Sequence, residues 1–160
     1  TEHGEINNRI LKLAGKGGNT DIAPAPKLTL YQNNQIVSPN AVNADLDLLI
    51  KWSPFTIGEA DANGILDDVI TVVTEDCHGK TINRTPLPFY GDKPAFTFRD
   101  TQHTVPAGTL KSGRRYRPRV EHINIVYSND YMDMPELASY GSVTKLYIHT
   151  TGENVSDECP

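Results

Sequence analysis

A chain of 160 residues with net charge −5, 38% apolar residues and a mean hydropathy of −0.44 has the length of one domain. It can bury roughly two thirds of its unfolded surface, so it needs neither metal nor disulfide merely to fold. The charge balance excludes a general attraction to nucleic acid or anionic membranes, and no apolar run approaches the ~18 residues of a membrane span.

The first 24 residues differ from the rest and read as an arm or linker. "EINNRILKLAG" allows one strand, while "GKGGNTDIAPAP" is a flexible and then stiff connection. The chain begins at Thr1 rather than methionine, which suggests a processed or excised piece whose export signal has been removed. From residue 25 the pattern becomes strand, turn, strand, and it holds to residue 152; residues 153–160 read as a tail. In "DLDLLIKW", Leu46, Leu48, Ile50 and Trp52 share one face, and Asp45, Asp47 and Lys51 share the other, with Leu49 the exception. "DDVITVVTED" is rich in β-branched residues and predicts a second strand. His78-Gly79 folds it back on "KTINRT". "TPLPFYGDKP" carries three prolines and reads as a loop or an edge crossing, "AFTFRD" as a strand with Phe96 and Phe98 inward, and "SVTKLYIHTT" as the last strand. Between these, "NDYMDMPELASYG" reads as a long loop, with room for one short helical turn capped by Asp133.

One segment is more specific. "LKSGRRYRPRV", Leu110 to Val120, resembles the corner of a fibronectin type III domain. There a leucine and a glycine turn precede a tyrosine at the head of a strand, with valine four residues on. "APAPKLTL" resembles that family's proline-led first strand, and "LDLLIKWSPF" the second, with Trp52 in the core. The likeness extends over residues 24 to 151 and implies an all-β, antiparallel two-sheet sandwich, fibronectin type III-like or immunoglobulin-like. Tyr116 would then bury its ring and bond its hydroxyl back to the corner. Pro118, without a donor, implies an edge or a bulge in that strand.

Candidate sites are few. "EADANGILDD" places Glu59, Asp61 and Asn63 at alternate positions before Gly64, followed by Asp67 and Asp68. Side-chain oxygens in that order suit calcium. Ile70 stands where an EF-hand loop carries its bidentate glutamate, so the competing reading is a solvated turn made by Asn63-Gly64. Tyr90, Tyr127 and Tyr131 lie in segments read as loops, where an aromatic body with a polar tip can meet a glycan or a protein. The run Arg114, Arg115, Arg117, Arg119 suits either an acidic partner or a mixed solvated face shared with Glu121. His122 is expected to be a structural core residue. Cys77 and Cys159 match no metal or redox spacing; they form one disulfide or remain two thiols. No nucleophile elbow, phosphate loop or dinucleotide fingerprint occurs.

These features describe a non-catalytic secreted, periplasmic or cell-surface module for adhesion, spacing or ligand binding. It would have no obligatory cofactor, bind no nucleic acid and insert into no membrane. Two alternatives are a calcium-dependent carbohydrate-binding accessory domain and a non-catalytic fragment flanking a hydrolase domain.

Overall fold

The computed structural model describes residues 23–60, 67–87, 95–131 and 134–153, with the side chains of 126–138 outside that description. The expected strand in "EINNRILKLAG" and the Asn63-Gly64 turn therefore fall outside the described residues. The described chain forms strands β1 (Leu28–Gln32), β2 (Gln35–Ile36), β3 (Leu48–Trp52), β4 (Val69–Asp76), β5 (Thr81–Arg84), β6 (Gln102–Val105), β7 (Arg115–Tyr131), β8 (Met134–Lys145) and β9 (Ile148–His149). It contains no helix. One antiparallel sheet has the order β2-β1-β3-β6 and the other β5-β4-β7-β8, with β9 also on β7. This is the all-β two-sheet sandwich expected from the sequence.

The local causes are legible. β1 and β2 are joined by Asn33 and Asn34, at φ 50° and 61°, the paired left-handed conformation that short hairpins require and asparagine tolerates. β4 turns into β5 through Gly79 at φ 83°. The Asp76 carboxylate shapes that turn, its Oδ1 accepting from the backbone N–H groups of His78 and Lys80, both at 2.9 Å. β3 buries Leu48, Ile50 and Trp52 and leaves Lys51 in water, as its alternation demands.

β4 does not alternate. All six residues from Val69 to Thr74 are buried, and its register with β7 shows why. Ile70, Val72 and Thr74 stand opposite His122, Val120 and Pro118; Thr71, Val73 and Glu75 stand opposite Glu121, Arg119 and Arg117. The first set shares the face that contributes Ile70, Val72 and Val120 to the core with Leu30, Ile50, Trp52 and Tyr116. The second is roofed by charged side chains. Glu75 accepts from Arg117 at 2.6 Å, Arg119 approaches Glu121 at 3.4 Å, and Thr71 donates to Glu121 at 2.6 Å. Val73, on the same face, is buried, and long charged side chains can lay their aliphatic stems over such a face while their charged ends meet each other and water.

Three expectations need correction. "AFTFRD" is not a strand: only Thr97 forms an isolated bridge, to Val69, and the strand begins later at Gln102. Phe96 and Phe98 still pack against the core. "NDYMDMPELASYG" is neither a long loop nor a helical turn, because most of it continues β7 and forms β8. Past the Val69–Ile123 pair, where β4 stops, β7 and β8 stay paired to Tyr131–Met134 as a two-stranded arm, with a bulge between Ile125 and Tyr127. Hydrogen bonding along the arm overrides weak local helix signals. Gly141 marks its base, where an added Cβ would lie 2.2 Å from the His122 carbonyl oxygen.

Pro118 likewise sits at neither an edge nor a bulge of β7. Its carbonyl accepts from Leu146 N–H at 2.9 Å, so its missing donor faces the same neighbour, since both groups of a strand residue point one way. That position lies between the end of β8 at Lys145 and the start of β9 at Ile148. The proline thus occupies the gap where one partner strand gives way to the next.

Candidate functional site

The acidic segment is closed at its neck by its own ends. Asp68 N–H donates to the Glu59 carbonyl at 3.0 Å, and Glu59 N–H donates to Asp68 Oδ2 at 2.9 Å. Asp68 is 2% exposed, and its carboxylate points across the sheet. Oδ2 also accepts from Asn124 Nδ2 at 2.9 Å, and Oδ1 accepts from Ile125 N–H at 2.8 Å. Both oxygens are therefore engaged by N–H donors that tie the loop neck to the base of the arm. Glu59 is exposed, and Asp67 meets Arg99 at 2.9 Å on the surface. Asp61 and Asn63 lie outside the described residues. Among the described residues, no three His, Cys, Asp or Glu side chains are grouped to hold a metal ion.

Tyr90 also lies outside the described residues. Tyr127 and Tyr131 stand on the β7–β8 arm, opposite Ala138 and Met134, and their side chains are not described.

His122 is 1% exposed, with the Phe55 ring stacked on it at 4.6 Å between centroids and 7° between planes. Burial pushes its pKa down to about 4; the nearby Pro24 carbonyl opposes this as the smaller effect. Among the described residues, no hydrogen bond of good geometry reaches either ring nitrogen. His103 is also lowered by burial, and its Nε2 lies 2.7 Å from Asn83 Oδ1.

The arrangement richest in recognition chemistry is at the corner. Tyr116 is 5% exposed and its hydroxyl accepts from Lys111 N–H at 2.8 Å. Buried Thr150 completes the brace: its hydroxyl accepts from Arg114 N–H at 2.9 Å and lies 2.7 Å from the Lys111 carbonyl. The loop carrying Lys111 and Arg114 is thereby held at both ends. Opposite stands the β4–β5 turn with Asp76, His78 and Lys80. Between the turn and the loop is a cavity of about 220 Å³, which Ile82, Arg115 and Tyr116 also line. A second cavity of about 200 Å³ shares Asp76, Arg115 and Tyr116 and adds Cys77, Arg117 and Tyr147.

The arginine run of the sequence thus divides. Arg117 and Arg119 belong to the roofed sheet face, where Glu75 lies between them and Arg117 holds its carboxyl below the usual range. Arg114 and Arg115 face the cavity with Lys80 and Lys111. Reading along the chain could not join Lys80 to Lys111, because 31 positions separate them in the sequence. The usable signal is that each cation flanks a glycine turn at the same end of a sandwich.

Tyr116→Phe is expected to remove the corner's acceptor and leave Lys111 N–H without its partner, at a cost of about 1–2 kcal/mol. Urea unfolding of the two proteins checks this; equal midpoints would mean that the hydroxyl is dispensable.

No known protein family matches the sequence, and no curated protein matches it.

Proposed function

We propose that the protein is a non-catalytic secreted, periplasmic or cell-surface module, built on a fibronectin type III-like sandwich, that serves adhesion, spacing or ligand binding. The observation that carries this reading is the bonded state of Cys77 within a two-sheet sandwich. Disulfides persist chiefly in oxidising compartments outside the cytosol. Cys159, the other cysteine of the sequence, lies outside the described residues.

The strand order supports the family likeness. β1, β3 and β6 lie together in one sheet, and β5, β4, β7 and β8 in the other, the division expected of that family. The Tyr116 corner bond and the buried Trp52, whose Nε1 donates to the Asp100 carbonyl at 2.9 Å, agree with it. The chemistry of the described polar groups favours binding over catalysis. Cys77 is bonded, His122 is sealed beneath Phe55, and Asp68 is spent on the loop neck. A rigid end bearing a charged cavity is what a recognition module presents.

Thiol labelling tests the compartment. In protein recovered from its native source outside the cytosol, Cys77 should resist iodoacetamide until reduction. A freely alkylated Cys77 in a cytosolic fraction would overturn the proposal.

A further inference from the structure

Resting on that reading, we propose that the paired cavities at the tyrosine corner bind an acidic saccharide, a chain of at least two sugar rings carrying sulfate or carboxylate groups. Three observations point there. First, charge is concentrated against the chain's own balance. The net charge is −5, yet Lys80, Lys111, Arg114 and Arg115 all line one cavity of about 220 Å³. No carboxylate forms an ion pair with Lys80, Lys111 or Arg115 among the described residues. Among the described residues, the one carboxylate lining that cavity is Asp76, whose Oδ1 is engaged by two backbone N–H groups of the turn. Positive charge of this density in a concave site selects an anion.

Second, the size is that of a fragment. The cavity has the liquid volume of about seven waters, below the range of pockets for larger organic ligands. The adjoining cavity of about 200 Å³ repeats it, with Arg115 and Tyr116 shared between them. Two small cells side by side suit successive rings of a chain. Third, the second cell is flanked by Tyr147, which is 69% exposed. An exposed aromatic face beside guanidinium groups offers a stacking surface for a ring and donors for its charged substituent.

The walls are also preorganised. Tyr116 and Thr150 fix the corner loop, and Asp76 fixes the facing turn, so little ordering cost falls on binding.

Calorimetric titration of the full chain at low salt tests the proposal. The ligands are sulfated isomaltotetraose, unmodified isomaltotetraose, tetragalacturonate and hexaglutamate. Binding should be measurable for the sulfated sugar or for tetragalacturonate, and whichever is tighter identifies the substituent. Unmodified sugar should not bind. Affinity should fall steeply with salt. Arg115→Gln and Lys111→Gln should each weaken it roughly fivefold to tenfold. Tyr147→Ala should weaken it as well, with melting temperatures unchanged in all three variants. Failure of both anionic sugars would overturn the site while leaving the Cys77 labelling result, and so the exported-module reading, intact. Equal or tighter hexaglutamate binding would reassign the site to an acidic peptide.

Discussion

Asp68→Ala is expected to destabilise the domain by about 3–5 kcal/mol, the scale of losing a buried, charge-assisted hydrogen-bond cluster. The carboxylate accepts from Glu59 N–H, Asn124 Nδ2 and Ile125 N–H. Removing it leaves at least two backbone donors and a side-chain amide at a site where water has little access. Asp68→Asn is expected to cost somewhat less, because one oxygen acceptor remains, but the new amide would face donors rather than acceptors. Because Asp68 ties the loop neck to the start of the β7–β8 arm, amide exchange should quicken first at Asn124, Ile125 and the neighbouring arm positions. Urea unfolding measures the first effect and hydrogen exchange the second. The calcium reading of this loop gives a different pattern: melting temperature rises with calcium in the parent protein, and that increment vanishes in the variant. If Asp68 acts as a structural staple, the loss is the same with calcium as with chelator.

The second large effect is expected in acid. His122 takes up a proton near its ordinary value in the unfolded chain but only at about 4 when folded. The folded state therefore binds fewer protons than the unfolded state between those values. Its contribution is fully favourable above pH 6.5 and is lost as the pH falls towards 4, by about 2–3 kcal/mol. His103, also lowered by burial, acts in the same direction. Glu75 is lowered by Arg117, so its stabilisation is present above its unfolded value and is lost at still lower pH. His122→Phe keeps a flat ring against Phe55 and removes the titrating group. Unfolding free energies at pH 7.5, 6, 5 and 4.5 should fall more steeply for the parent than for the variant. Parallel curves would show that His122 is not the acid-sensitive group.

Periodicity of two and the corner motif were enough to deduce two packed sheets with Trp52 and Tyr116 in the interior. Both rings are buried in one core: strand alternation places Trp52 on the buried face, and the resemblance of the corner segment implied the burial of Tyr116. The β4–β5 turn was legible for the same reason, His78-Gly79 being a local instruction. The β7–β8 arm was not: its strand character comes from cross-strand pairing between residues such as Asn129 and Glu136, which have little strand preference of their own.

The sites show the same division. Sequence order grouped Glu59, Asp61, Asn63, Asp67 and Asp68 as candidate calcium ligands beside the reading as a solvated turn, and the fold directs Asp68 towards Asn124 and Ile125, 56 and 57 positions further along. It also separated neighbours, sending Arg119 to Glu75 and Glu121 and Arg115 to the cavities. Alternation by itself determined which face β3 buries, since Leu48, Ile50 and Trp52 are written at every second position, and the likeness of the corner segment implied the two-sheet class. Which charges meet was decided only by tertiary structure, because sheet register and the convergence of turns at one end of the sandwich are set by long-range pairing.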